Sequence, residues 1–182
     1  MKSRNLLLAV LALAVVVFGA AQLYAAVTES STDVPKAIPD NGSTTSTLNF
    51  SVNGTITDAN LTFTIAHAWD SDVAVSLASP SIPIQLLVQN CGGSADNFTD
   101  TTIDEDAAAM ACAGTTGAPF TGSFQSPAAG TMDAFDASTS GGIWTLTAAD
   151  DSAIITGTLN SWSLTLDGAP PLPVELMSFE IH

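Results

Sequence analysis

Five stretches of the chain alternate apolar and polar residues, and this alternation constrains the fold more than any other feature. The apolar members stand two positions apart and are separated mostly by Thr and Ser: Leu48, Phe50 and Val52; Leu61, Phe63 and Ile65; Val73, Val75 and Leu77; Trp144, Leu146 and Ala148; Trp162, Leu164 and Leu166. Side chains of a β-strand point alternately to its two faces, so this pattern predicts strands that bury one face. The chain is therefore predicted to be all-β, with a two-sheet β-sandwich of the jelly-roll type.

The two ends of the chain differ from this pattern. Lys2 and Arg4 precede an apolar run that ends in small residues, so residues 1–26 are predicted to be a signal peptide, with an uncleaved membrane anchor as the alternative. Export would place the protein outside the cell, without stable membrane insertion after cleavage. Residues 27–37 are polar and lack periodicity, which predicts a linker before a domain at 38–168. Residues 169–182 are predicted to form a Pro-rich tail.

Acidic residues dominate the charge of the predicted domain. The chain has 18 Asp and Glu, and Lys36 is the only Lys or Arg after residue 26. Such a surface repels phosphate backbones, which argues against nucleic acid as a partner, and it attracts divalent cations. Cys91 and Cys112 are the only cysteines. In an exported protein such a pair predicts one disulfide, and a two-cysteine metal site is the weaker alternative.

The stretch "AHAWD" at 66–70 contains one of the two histidines. Extending the alternation puts His67 on the inward face, as a packed imidazole bonded to a backbone group or to an acid such as Asp72. In an enzyme, His67 would be a general base oriented by Asp70 or Asp72. On a continued strand, however, His67 and Asp70 would point to opposite faces, and no serine lies in a nucleophile-elbow pattern. No catalytic residue is therefore predicted.

The segment 90–131 is Gly-rich and acidic, shows little alternation and is predicted to be a long loop. Calcium takes six to eight oxygen ligands and tolerates irregular spacing, so this loop is a candidate calcium site. The alternative is an acidic loop that only contacts solvent. The predicted ligands are Asp72, Asp100 and Asp104, followed by Asp106, Asp136, Asp133 and Asp150, and Asp70 could approach them from the strand entry.

The three tryptophans raise the possibility of sugar binding, because aromatic faces stack on sugar rings. Trp144 and Trp162 begin alternating stretches and are therefore expected in the core. Only Trp69, which is expected to cover the bend after His67, remains a candidate platform for a ligand.

Four segments in order resemble one family, the P domain or Homo B domain that follows the catalytic domain of subtilisin-like proprotein convertases and many secreted bacterial proteases. They are "IPDNG" (38–42), "FTIAHAWDSDVAVSLASP" (63–80), "GGIWTLTAADD" (141–151) and "GTLNSWSLTLDG" (157–168). The sequence departs from the family where Ser81-Ile82-Pro83 replaces a Gly-Thr turn, and where Thr156 replaces an acid.

The resemblance implies a jelly-roll sandwich of the galactose-binding-like type that is not catalytic. In the family this domain stabilises a neighbouring protease domain and influences its dependence on calcium and pH. The sequence has no "HGT" or "GTS" element of the subtilisin type. The expected function is that of an accessory or interaction module for a separate subtilisin-like protease or another extracellular protein. An adhesion or carbohydrate-binding module is the alternative.

Overall fold

The computed structural model describes residues 26–168. The predicted tail and all but the last residue of the predicted signal peptide lie outside this range. The described chain contains ten strands and two short 3₁₀ helices, η1 and η2. In chain order they are β1 (Val27–Ser30), β2 (Lys36–Ile38), β3 (Ser43–Phe50), β4 (Asp58–Ala66), η1 (Asp70–Asp72), β5 (Val73–Ala78), β6 (Gln85–Val88), β7 (Phe98–Ile103), β8 (Phe120–Phe124), η2 (Met132–Phe135), β9 (Gly142–Asp150) and β10 (Gly157–Asp167).

The strands form two sheets. The first has the order β1-β10-β4-β7-β8. Its sixth strand, β2, also pairs with β10, as β1 does. Its pairs are antiparallel except for β7 and β8, which run parallel. The second sheet has the order β3-β9-β5-β6 and is antiparallel throughout. This architecture confirms the predicted all-β sandwich.

The apolar faces of the two sheets meet in one core. All the alternating apolar residues that the sequence analysis names are buried, except Val52, which follows the end of β3 and is half-buried. Full burial of one such side chain stabilises the fold by about 1.5–3 kcal/mol. Trp144 and Trp162 are both buried, as predicted, and their indole N–H groups donate to the Ser140 carbonyl at 2.9 Å and the Ser46 hydroxyl at 2.6 Å.

The segment 27–37 is not a linker. Val27–Ser30 pairs with β10 as β1, and Lys36–Ile38 pairs with the start of β10 as β2. Between them, Asp33 accepts hydrogen bonds from Lys36 at 2.7 Å and from the hydroxyls of Ser31 and Ser46. These two strands cover one edge of the first sheet and are too short for their alternation to be visible in the sequence.

The segment 90–131 is also more regular than the sequence predicts, because it contains β7 and β8. The connection between these two strands carries Cys112, which forms the predicted disulfide with buried Cys91 (S–S 1.98 Å). No helix between residues 26 and 168 is long and apolar enough to cross a membrane.

Candidate functional site

Three buried polar side chains, those of His67, Asp70 and Asp150, gather at one end of the sandwich, which we call the His67 end. Here β4 ends at Ala66, β9 ends at Asp150 and β10 begins at Gly157. The chain leaves β4 at His67 and turns through η1 into β5. At the opposite end, the Asp58 end, β4 begins and β10 finishes.

The His67 ring is enclosed and fully engaged. Its Nε2 lies 3.3 Å from a carboxylate oxygen of Asp150, and both side chains are at most 1 % exposed. Its Nδ1 lies 2.7 Å from the carbonyl and 3.2 Å from the N–H of Trp69. A Cβ on Gly157 would stand 2.7 Å from the ring carbon Cδ2, so only glycine allows β10 to begin this close. The predicted packed imidazole and its backbone partner are confirmed, but the acid is Asp150 instead of Asp72.

Asp70 is buried on the same side as His67, which contradicts the prediction that they face opposite ways. The prediction assumed a continued strand, whereas the chain leaves β4 after Ala66 and Asp70 begins η1. Asp70 is 0 % exposed, and neither of its carboxylate oxygens has a hydrogen-bond partner among the described residues. The backbone N–H groups of this region donate to carbonyl oxygens: Asp70 to Ala95 at 2.9 Å, Ser71 to Gly93 at 3.1 Å and Asn97 to His67 at 3.1 Å.

The loop after Cys91 encloses Asp70. Gly92 has a φ of +87°, and a Cβ there would stand 2.7 Å from the Asp70 Cβ and 2.8 Å from the Phe120 ring. Glycine is the residue that reaches such a conformation without a steric penalty and lets a backbone approach this closely. The loop and the Phe120 ring together keep water away from the carboxyl group.

This enclosure changes the chemistry of the Asp70 carboxyl group. Burial raises the pKa of Asp70 to about 7 from its usual 3.8, the nearby His67 ring opposes this rise, and the charge of Asp96 adds to it. A buried carboxylate without a partner is unstable. Asp70 is therefore stable either as a neutral acid or as a carboxylate beside a cation.

The predicted calcium ligands do not come together at one place. Asp72 ends η1 at the His67 end, and its nearest side-chain donor is the Ser71 hydroxyl at 3.5 Å. Asp100 is exposed on β7, where it accepts a hydrogen bond from Thr64 at 3.0 Å. Asp150 is occupied by His67.

Asp104, Asp106 and Asp136 belong to the Asp58 end, where the sequence analysis missed Asp58 itself. Burial raises the pKa of Asp58 and that of Asp136, and neighbouring carboxylates reinforce both rises. Within residues 26–168, no three His, Cys, Asp or Glu side chains are arranged to hold a metal ion. The calcium ligands named from the sequence remain a prediction.

Trp69 lies at the surface of the His67 end and is 43 % exposed. It lines a cleft of about 320 Å³ together with Asp72 and residues 152–155. Ile154, in the same cleft, is 91 % exposed. Trp69 is thus accessible to a ligand, unlike the two buried tryptophans.

Comparison with known proteins agrees with this fold. The family described as proprotein convertase P-domain matches residues 56–166, which is more than half of the chain. A search of curated proteins finds no match. Among solved structures, the serine protease of Aeromonas sobria in complex with the chaperone ORF2 shares 16 % identity with a TM-score of 0.50. That alignment covers 82 % of this chain and 28 % of the other.

A second structure of the Aeromonas sobria serine protease aligns at 16 % identity, with a TM-score of 0.48, over 80 % of this chain and 28 % of the protease. At this level of identity, the first structure shows a shared fold only. The aligned part spans less than a third of that protease chain. The family match and the sandwich lead to one conclusion: the chain belongs to the proprotein convertase P-domain family.

Proposed function

We propose that this chain is an exported, non-catalytic accessory module that acts with a subtilisin-like serine endopeptidase. The family match over residues 56–166 carries the proposal, because the P domain is a non-catalytic accessory domain of serine proteases. The endopeptidase is either a separate chain or another part of the same protein. The fold shared with the Aeromonas sobria protease supports a protease-associated role.

The state of His67 supports a role without catalysis. A general base needs a free ring nitrogen within reach of the proton that it removes. In the described residues, the His67 ring contacts the Trp69 backbone and Asp150, and no serine or cysteine side chain bonds to it. We infer that the His67–Asp150 pair stabilises the fold.

Export and calcium are further parts of the proposal. The Cys91–Cys112 disulfide is typical of proteins in oxidising compartments, which supports export. The large excess of acids supports calcium, because Lys36 is the only Lys or Arg between residues 26 and 168 and its ammonium group already contacts Asp33 at 2.7 Å. Bound calcium would stabilise the folded state without taking part in a reaction.

The accessory role can be tested with a subtilisin-like catalytic domain from the same organism that has been expressed without its own P domain. We expect the purified chain to co-elute with it in size-exclusion chromatography and to lengthen its half-life at elevated temperature. A disulfide-bonded β-sandwich of similar size and charge serves as the control. If the chain neither binds nor protects any such domain, or if it cleaves peptides by itself, the proposed function is wrong.

A carbohydrate-binding role is the second candidate, because Trp69 presents 43 % of its surface beside the cleft. A glycan array followed by calorimetry on any hit would test it. Binding that Trp69→Ala abolishes and Trp144→Phe leaves unchanged would favour this function. Absence of glycan binding would exclude it.

A further inference from the structure

Among residues 26–168, no side chain is bonded to the Asp70 carboxyl group in a way that could neutralise it. Both of its oxygens are buried and without hydrogen bonds among the described residues. Neither nitrogen of the His67 ring is free, since one is bonded to Asp150 and the other to the Trp69 backbone. Lys36, the only Lys or Arg between residues 26 and 168, contacts Asp33 and the Thr45 carbonyl. When Asp70 is ionised, a positive charge beside it therefore has to come from outside the described residues.

Backbone carbonyl oxygens, which suit a hard cation, lie beside the backbone of η1, the helix that Asp70 begins. The carbonyls of Gly93 and Ala95 accept hydrogen bonds from the backbone of η1, and the Gly92 carbonyl accepts one from Ala95. Each carbonyl oxygen has a second lone pair. The carboxylate of Asp96 follows directly and lies close enough to act electrostatically on Asp70.

We propose that Asp70 and Asp96, together with backbone carbonyls of residues 92–95, bind one calcium ion at the His67 end. Two carboxylates, carbonyls and water can supply the six to eight oxygens that calcium takes, without a third acidic side chain. A proton on Asp70 would leave the charge of Asp96 in place, whereas a cation held between the two carboxylates would offset the charge of both. This site rests on the calcium part of the proposed function. It places the ion at the His67 end and not among the acids of the Asp58 end.

The positions of the two acids indicate separate roles. Asp70 is rigidly enclosed, so it would fix the ion beneath the loop that begins at Gly92. Asp96 is exposed and would close the site from solvent. η1 directly precedes β5, and the loop that begins at Gly92 precedes β7. A calcium ion bound by both η1 and this loop would therefore link the starts of the two strands.

The first test is thermal unfolding of the purified chain after removal of divalent cations with EDTA, and then with millimolar calcium. At a hundredfold excess over Kd, a ligand of the folded state should raise the midpoint by about 5–10 °C. Asp70→Asn should abolish the rise, and it should fold because an amide replaces the carboxyl group at the same size. If this variant does not fold, Asp96→Asn decides, since it changes an exposed residue and should weaken calcium affinity at least tenfold.

Asp136→Asn, at the Asp58 end, is the matched control and should keep the full response to calcium. An equal response of the wild type to magnesium would indicate screening of the net charge of −15 and would overturn the site. A calcium response that both Asp70→Asn and Asp96→Asn retain would reject this site but leave calcium binding in place. No response in the wild type would reject calcium altogether, while the protease-binding assay would still test the accessory role.

Discussion

Replacing His67 by alanine should destabilise the fold strongly, because it leaves a buried carboxylate without its partner. Asp150 would keep one hydrogen bond, from the Ser152 N–H at 3.0 Å, and lose the imidazole at 3.3 Å. Leaving a buried polar group without a hydrogen-bond partner costs about 1–3 kcal/mol, and more when that group is charged. Water could enter from the adjoining cleft of about 380 Å³, which His67 and Gly157 line. We therefore expect a loss of about 3 kcal/mol, which is a large part of the stability of a domain of this size.

Urea unfolding followed by tryptophan fluorescence measures this loss. Asp150→Asn keeps the shape and one hydrogen bond, so it should cost about 1–2 kcal/mol. The double variant His67→Ala/Asp150→Ala should be more stable than the sum of the two alanine variants predicts, by at least about 1 kcal/mol, because it removes both members of the pair.

Two outcomes would refute the argument. One is a loss below about 1 kcal/mol for His67→Ala, which is the range of an ordinary exposed contact. The other is additivity within about 0.5 kcal/mol in the double-mutant cycle, which would show that the two side chains do not interact. Peptidase activity that disappears with His67 in a folded variant would contradict the structural role as well.

Three further predictions concern other parts of the fold. Cys91→Ala opens a disulfide that joins residues 21 positions apart and should lower the free energy of unfolding by about 3 kcal/mol in a urea titration, with the reduced wild type giving the same value. Burial acts to raise the pKa of Asp33, but hydrogen bonds, led by that from Lys36, lower this pKa overall. The ionised Asp33 therefore contributes its full stabilisation above about pH 4, and this contribution is lost as the pH falls further. Asp33→Asn should flatten this part of a curve of stability against pH. Gly92→Ala should cost about 1–3 kcal/mol in thermal unfolding, because the new Cβ needs an unfavourable φ and meets the Asp70 side chain, whereas Gly114→Ala meets no atom within 4 Å and should cost less.

The sequence predicted the long strands well, because their alternation follows directly from the geometry of a half-buried strand. Leu61, Phe63 and Ile65 all face the core of β4, and Trp144 faces it from β9. The short edge strands escaped prediction. β1 has four residues and β2 has three, so neither contains enough apolar positions to reveal a period.

β7 escaped prediction for a different reason. It is interrupted by a bulge where its register with β4 shifts, and Asp100 there has a φ of +48°. An irregularity of this kind breaks the period of two, so polar residues occupy positions where the pattern expects apolar ones. Its buried residues are Phe98, Thr101 and Ile103, and the interval from Phe98 to Thr101 is therefore three positions instead of two.

The candidate site depends on tertiary contacts that composition does not reveal. Counting acids led to the Asp104 to Asp106 stretch, which lies at the surface of the Asp58 end, where water and salt can screen the carboxylates. Asp70 has the same carboxyl group but lies beneath Gly92 and Phe120, away from water and salt. The cost of ionising a carboxyl group depends on this difference in burial more than on the number of acids nearby. If calcium binds at Asp70 as we propose, the burial of one carboxylate marks its position, whereas binding at the Asp104 to Asp106 stretch would mean that the density of acids does.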